Sequence, residues 1–257
     1  THFIYETPAV KAAYEKIFGT LPEIGDFPRR AAPVANPTNG DEIGLNDAWT
    51  AMPAEQQNIV NQVTSNAIKA IAAYEMELVK FDSPFDNYVQ QMRDFPTEPT
   101  RWNAISQEAK DGAQLFVEVI GCAKCHNGPL LSDSQFHNLR LPPVDGVDIN
   151  SLGRFDGVRM SQEADFSSRS PYSDDPEGQR AMLLKALPAL ERDKGAFRTA
   201  GLRNLLSTWP YMHGGHFVDL DEVLNFYNEQ PESVGVGTRS YLIRELKLED
   251  DQLSKVK

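Results

Sequence analysis

Cys122-Ala123-Lys124-Cys125-His126 constrains this chain more than any other stretch. Two cysteines three apart, followed at once by histidine, form the attachment signature of a c-type haem. Each thiol adds to one vinyl group of the porphyrin, and the two intervening residues match the separation of the vinyls. The next side chain, His126, then lies under the iron and supplies an imidazole nitrogen as proximal ligand. Cys122 and Cys125 are the only cysteines. A structural zinc site would want further Cys or His at metal-ligand spacing. A redox dithiol would be expected beside a strand-helix unit, and none is apparent.

A chain of 257 residues is long enough for one large domain or two small ones. With 37 Asp+Glu against 25 Lys+Arg its formal net charge is -12, which argues against nucleic acid as a partner and suits docking of a basic redox protein. No apolar run reaches the roughly 18 residues that span a bilayer. The chain starts at Thr1 without a signal peptide, as expected of a mature form or a fragment. Covalent haem c is attached outside the bacterial cytoplasm, so a periplasmic or other extracytoplasmic location is expected.

Helical patterns dominate. Thr7-Pro8 opens a helix as N-cap and first position, Val10, Tyr14, Ile17 and Phe18 share one face, and Gly19 stops it. Residues 20–48, rich in Pro, Gly, Asn and Asp, read as a long loop. A core helix is expected from about Pro53 to Lys80, with Ile59, Val60, Val63, Ala67, Ile68, Ile71 and Leu78 at helical spacing. Turn-rich connectors follow at 82–86 and 95–99. Ser106 caps a helix that runs into the haem motif, and Gly112 in it allows close approach of a partner helix. From Asn127 to about Asp175 there is little periodicity, and a loop that long is expected to wrap the haem. A short helix over 176–190, one started by Asp219 with Glu222, and a last one near Glu249 complete an all-α class with heavy loops. The trio Trp49, Trp102 and Trp209 is expected to be packing residues.

The iron also needs a second axial ligand or an open position. Met or His there means electron transfer, and an open position means substrate chemistry. Met160, Met182, Met212, His137, His213, His216 and Tyr227 are all candidates, and spacing alone does not choose among them.

Several ordered blocks resemble a known family. Gly121 to Gly128 around the haem motif, Phe136-His137-Asn138-Leu139, Phe197-Arg198-Thr199 with Leu202-Arg203-Asn204, Pro210-Tyr211-Met212-His213-Gly214-Gly215, and Asp221 to Asn228 are similar to the C-terminal haem domain of the bacterial dihaem cytochrome c peroxidase and MauG superfamily. Ser83-Pro84-Phe85-Asp86-Asn87-Tyr88 resembles the segment before that domain. The resemblance implies a cytochrome c-like haem domain over 101–257, preceded by a helical segment over 1–100. It implies that Tyr227 is the distal iron ligand, with Met212 as the alternative. It also implies a calcium ion bound partly by the backbone carbonyls of Thr208 and Pro210. The implied activity is that of a haem c oxidoreductase of peroxidase type. Its six-coordinate haem stores or relays electrons for a second, peroxide-reacting haem. The alternative is a monohaem electron-transfer cytochrome. That second haem would sit in an N-terminal domain with its own Cys-x-x-Cys-His, expected on another polypeptide or fragment, because residues 1–20 resemble the segment following it. Hydrogen peroxide and a redox partner protein are the implied partners. Where MauG has the tryptophan that relays its oxidising equivalents, this chain has Ile120, so the resemblance does not extend to that relay. Ala200 also stands where the family often has Pro.

Overall fold

The computed structural model describes residues 1–142, 144, 152–230 and 235–257. They fall into two compact units, Thr1–Lys80 with Ser168–Gly178 and Phe81–Ser167 with Gln179–Lys257. Residues 81–100 fall in the unit that carries the Cys122–His126 motif. The expected loop over 127–175 falls partly on residues outside the described ones.

In the first unit, α1 (His2–Glu6) leads into α2 (Pro8–Phe18). Pro8 begins α2 and Gly19 ends it with φ 87°, a left-handed backbone value that glycine adopts without a Cβ penalty. Thr7 occupies the N-cap position but makes no side-chain capping bond. Helix α3 (Gly40–Thr50) starts inside the stretch expected to be a loop and runs just past its end. Its Pro- and Gly-rich surroundings mask it, yet Asn39 caps it by accepting the Glu42 N–H. Helix α4 (Ala54–Glu77) spans about 36 Å at 1.5 Å per residue. The core joins Ile4, Tyr14, Leu21 and Val63, with Tyr5, Val10, Phe18, Ile59 and Ala67 against it. Asn66 donates to the Tyr14 hydroxyl at 2.8 Å, so this buried amide is satisfied.

The expectation that all of α4 is core fails in its second half. Ile68, Ile71, Tyr74 and Leu78 are half or more exposed. The helix outruns the small core that its first half covers. Residues 168–178 return to this unit, where Lys69 pairs with Asp174 and the Tyr172 hydroxyl bonds Asn58.

The second unit opens with α5 (Pro84–Asp94), which starts inside a stretch read as connector. Ser83 and Asp86 form a reciprocal capping box at its N-terminus. Helix α6 (Gln107–Gln114) is capped by Ser106, which accepts the Ala109 N–H at 3.1 Å. It continues as one π-helical turn, Leu115–Val119, and then a one-turn 3-10 helix at Cys122–Lys124. Strand β1 (Phe136–His137) pairs antiparallel with β2 (Phe197–Arg198), and these are the only paired strands among the described residues. Helix α7 (Arg154–Glu163) interrupts the second expected loop, and α8 (Gln179–Ala186) is shorter than the pattern suggested. Helix α9 (Leu220–Glu229) has Asp219 as N-cap, accepting the Glu222 N–H at 2.9 Å. Helix α10 (Asp250–Val256) starts at a Glu249 capping box.

Gly112 has the role its sequence position suggested. A Cβ there would run into the Lys255 carbonyl, so α10 rests directly on the α6 backbone. The fold is all-α, as expected of a cytochrome c-like domain.

Candidate haem c site

The haem motif sits in a tight turn entered through Gly121, whose φ of 79° is left-handed. The turn is closed by Lys124 N–H to Gly121 carbonyl and His126 N–H to Cys122 carbonyl bonds of 3.0 and 2.9 Å. Both thiols are free and half-buried. Burial pushes the Cys122 thiol up to about 11 and raises Cys125 as well. A Cys-x-x-Cys redox pair does the reverse, depressing one thiol so that it attacks as thiolate. Two protonated thiols, not bonded to each other, suit thioether formation better than redox exchange.

His126 is oriented for iron. Its Nδ1 lies 3.0 Å from the Leu131 carbonyl oxygen. Nδ1 therefore carries the proton and donates, which leaves the Nε2 lone pair for a metal. Burial, the largest influence, lowers its pKa and so keeps the ring neutral. Leu131 presents its carbonyl from a left-handed backbone (φ 52°), and Ser132 holds the loop by donating from Oγ to the Thr199 carbonyl at 2.7 Å.

The candidates for the opposite axial position lie in different settings. Met160 and Met182 are exposed on α7 and α8. His213 lies flat on Phe197, with ring centroids 3.5 Å apart and 10° between planes, and meets His216 edge-on at 4.9 Å. His137 is bonded through Nε2 to Asp133 at 2.8 Å. Met212 sits in a turn with φ 67°. Tyr227, on α9, is the candidate electrostatically coupled to both Cys122 and Cys125, and burial followed by those two thiols pushes its phenol up. The donor set at this turn therefore comprises two protonated thiols, a neutral imidazole bonded through Nδ1, and a phenol electrostatically coupled to both sulfurs. That set fits a covalently held haem.

Sequence reasoning missed one cluster. Ligand atoms of Cys125, Asp133 and His137 all lie within 4.8 Å of one another. Asp133 and His137 are four apart in a loop without periodicity, so only folding brings them to Cys125. A second missed contact is the Arg203 guanidinium. It grips both carboxylate oxygens of Asp86 at 2.8 and 2.9 Å and donates from Nε to the Pro129 carbonyl at 2.7 Å. It ties the start of α5 to the loop that leaves the haem motif.

Thr208 and Pro210 flank Trp209, which is exposed rather than packed. Two loop carbonyls supply only part of the roughly six to eight oxygens that calcium takes, so the remaining ligands would have to come from elsewhere. Ile120, just before the haem motif, is buried as a core residue.

Comparison with known proteins gives a consistent set. No family model matches the chain. It is 31% identical over 251 residues to Cytochrome-c peroxidase IdrP1 of Pseudomonas sp. (strain SCT), covering 92% of this chain and 61% of that protein. It is 28% identical over 158 residues to Methylamine utilization protein MauG of Methylorubrum extorquens, covering 62% of this chain and 33% of that protein. A crystal structure of a MauG-like protein associated with microbial copper homeostasis superposes with a TM-score of 0.50 at 24% identity. That match covers 74% of this chain and 54% of the other. The chain thus spans less than two thirds of the length of each of these relatives.

Proposed function

From a chain that fits the dihaem cytochrome c peroxidase and MauG superfamily, we propose a haem c oxidoreductase that carries the six-coordinate haem of a peroxidase-type pair. When bound, the haem supplies a one-electron redox centre. The chain's own residues do the rest. Cys122 and Cys125 hold the porphyrin edge through thioethers. His126 offers Nε2 from an imidazole oriented by its Leu131 bond and kept neutral by burial. Tyr227 presents its phenol oxygen from α9 on the other side. An oxygen ligand of this kind favours the ferric state over the ferrous, whereas methionine would favour the ferrous.

The observation that carries this reading is the Cys122–His126 turn with its two raised thiols and its oriented imidazole. In the proposed overall reaction, hydrogen peroxide takes two electrons and two protons and yields two waters. A redox partner protein donates the electrons. The peroxide-reacting haem belongs to an N-terminal haem domain or fragment. The exposed apolar stretch of α4, through Ile71, Tyr74 and Leu78, is consistent with a protein surface that covers it. The Thr208 and Pro210 carbonyls are assigned to a calcium site completed by oxygens from that partner or from water. The location is periplasmic. Among the described residues no helix is long and apolar enough to cross a membrane.

One pair of cysteines provides one attachment site, and this favours the monohaem electron-transfer cytochrome as second reading. A pyridine haemochrome assay on the purified native material, counted per polypeptide, decides. Two haems in the complex, with spectral turnover on adding peroxide, support the peroxidase. One haem and no change with peroxide leave an electron-transfer protein. A Cys122→Ala variant that keeps its haem after denaturation as well as the wild type does would contradict thioether attachment itself.

A further inference from the structure

We infer that Asp133 and His137 form a positioning pair for the proximal histidine, and that the Asp133 carboxylate places a fixed negative charge at the Cys125 edge of the haem. This rests on the haem c reading above. Asp133 sits at the centre of the loop that leaves His126. Its N–H donates to the Cys125 carbonyl at 2.7 Å. Its Oδ1 accepts the Gln135 N–H at 2.8 Å, and its Oδ2 accepts from His137 Nε2 at 2.8 Å. The two side chains are only 16% and 17% exposed. Their ligand atoms and the Cys125 sulfur all lie within 4.8 Å.

The loop turns on two left-handed residues, Leu131 and Ser134. Non-glycine residues do not hold that backbone without surrounding bonds. The Asp133 bonds and the Ser132 bond to Thr199 supply them. Leu131, whose carbonyl takes the His126 Nδ1 proton, lies inside the segment they close. The orientation of the iron-ligating ring is therefore coupled to the Asp133–His137 bond, in the manner of outer-shell partners that fix a metal-bound histidine.

The same three side chains could be taken for a small metal site. Thioether formation removes that option, because the Cys125 sulfur then has no proton to lose and the remaining carboxylate and imidazole are already bonded to each other. What stays at that edge is charge. Burial opposes ionisation of Asp133, but the bonds from His137, Gln135 N–H and Thr199 outweigh it and hold the carboxyl below its ordinary range. An anion held in a poorly solvated setting beside the Cys125 sulfur would stabilise the ferric form of a haem tethered there.

The test uses the haem-loaded protein. Asp133→Asn keeps the shape and removes the charge. The expected result is a shift of the reduction equilibrium of about tenfold toward the ferrous form, about 59 mV for a one-electron couple. Asp133→Glu, which keeps the charge, is expected to restore most of the wild-type potential. His137→Phe breaks the bond without touching a haem ligand, and should rearrange the paramagnetically shifted haem-methyl resonances that report the plane of the His126 ring. His137→Gln, which keeps a donor, should return them toward the wild-type pattern. A potential for Asp133→Asn within about twofold of wild type overturns the charge role. Unmoved haem-methyl shifts in His137→Phe overturn the positioning role, and that variant decides the inference should Asp133→Asn not fold. Failure of the haem reading itself is distinct, since the wild type would then give no thioether haemochrome spectrum at all.

Discussion

Arg203→Ala should be clearly destabilising. The guanidinium makes two parallel bonds to Asp86, at 2.8 and 2.9 Å, and a third to the Pro129 carbonyl at 2.7 Å. It also lies 4.7 Å from the centroid of the Phe81 ring. A fully exposed pair contributes about 0–1 kcal/mol, whereas breaking a fully buried one costs about 3–5 kcal/mol. Here the two side chains are 22% and 15% exposed, nearer the buried limit. Removing Arg203 leaves Asp86 with its bonds from the Ser83 N–H and hydroxyl, which soften the loss. The expected destabilisation is therefore about 2 kcal/mol, between the two limits. Arg203→Lys, which keeps the charge but not the fork, should lose about half of that. Urea unfolding of the haem-loaded protein measures both, read as a shift in midpoint at constant slope. The pH dependence has a definite sign. The Arg203 fork, followed by the Ser83 hydroxyl, holds the Asp86 carboxyl well below the usual carboxylate range. The stabilisation is thus fully present above the unfolded-state value near 4 and is lost as pH falls toward the folded value. The gap between wild type and Asp86→Asn should narrow below about pH 4 and stay constant above about pH 5. A loss below about 0.5 kcal/mol for Arg203→Ala, or a gap that widens on acidification, would refute the reasoning.

Three further outcomes follow from the geometry. Gly112→Ala places a methyl against the Lys255 carbonyl, so α10 should be displaced at a cost of about 1–3 kcal/mol, seen as faster hydrogen exchange over 250–256; unchanged exchange would show that α10 does not rest there. Tyr227→Phe should convert the ferric haem from six-coordinate to five-coordinate or water-ligated, and identical absorption and electron paramagnetic resonance spectra would transfer the ligand role to another residue, Met212 first. Asp219→Ala removes the bond to the Glu222 N–H and should lower stability by about 1 kcal/mol in thermal unfolding; no change would mean that the α9 N-terminus is satisfied by water alone.

What could be read without the fold is what is encoded within a few residues. The haem motif, the Pro8 start and Gly19 stop of α2, and the caps at Ser106 and Asp219 are local bonding patterns, and each reappears in the structure at its expected place. Gly112 also signalled its role, because a glycine inside a helix has few other reasons to be there. Composition misled where local signals were crowded. Helix α3 hid among Pro and Gly residues, α7 hid in a polar stretch, and apolar periodicity in α4 ran on beyond the core that could cover it.

The sequence by itself carried the expectation of a tethered porphyrin, since two thiols and an imidazole at fixed spacing are a local pattern. Spacing alone left seven candidates for the opposite ligand without rank, because it says nothing about distance across a fold, and only the family resemblance put Tyr227 ahead of them. Only the tertiary structure brought Tyr227 beside the two thiols, 102 and 105 positions after them in the chain. Only it set Asp133 and His137 against Cys125 and closed Arg203 on Asp86. Such contacts depend on how loops close and helices dock, and no pattern within a dozen residues encodes them.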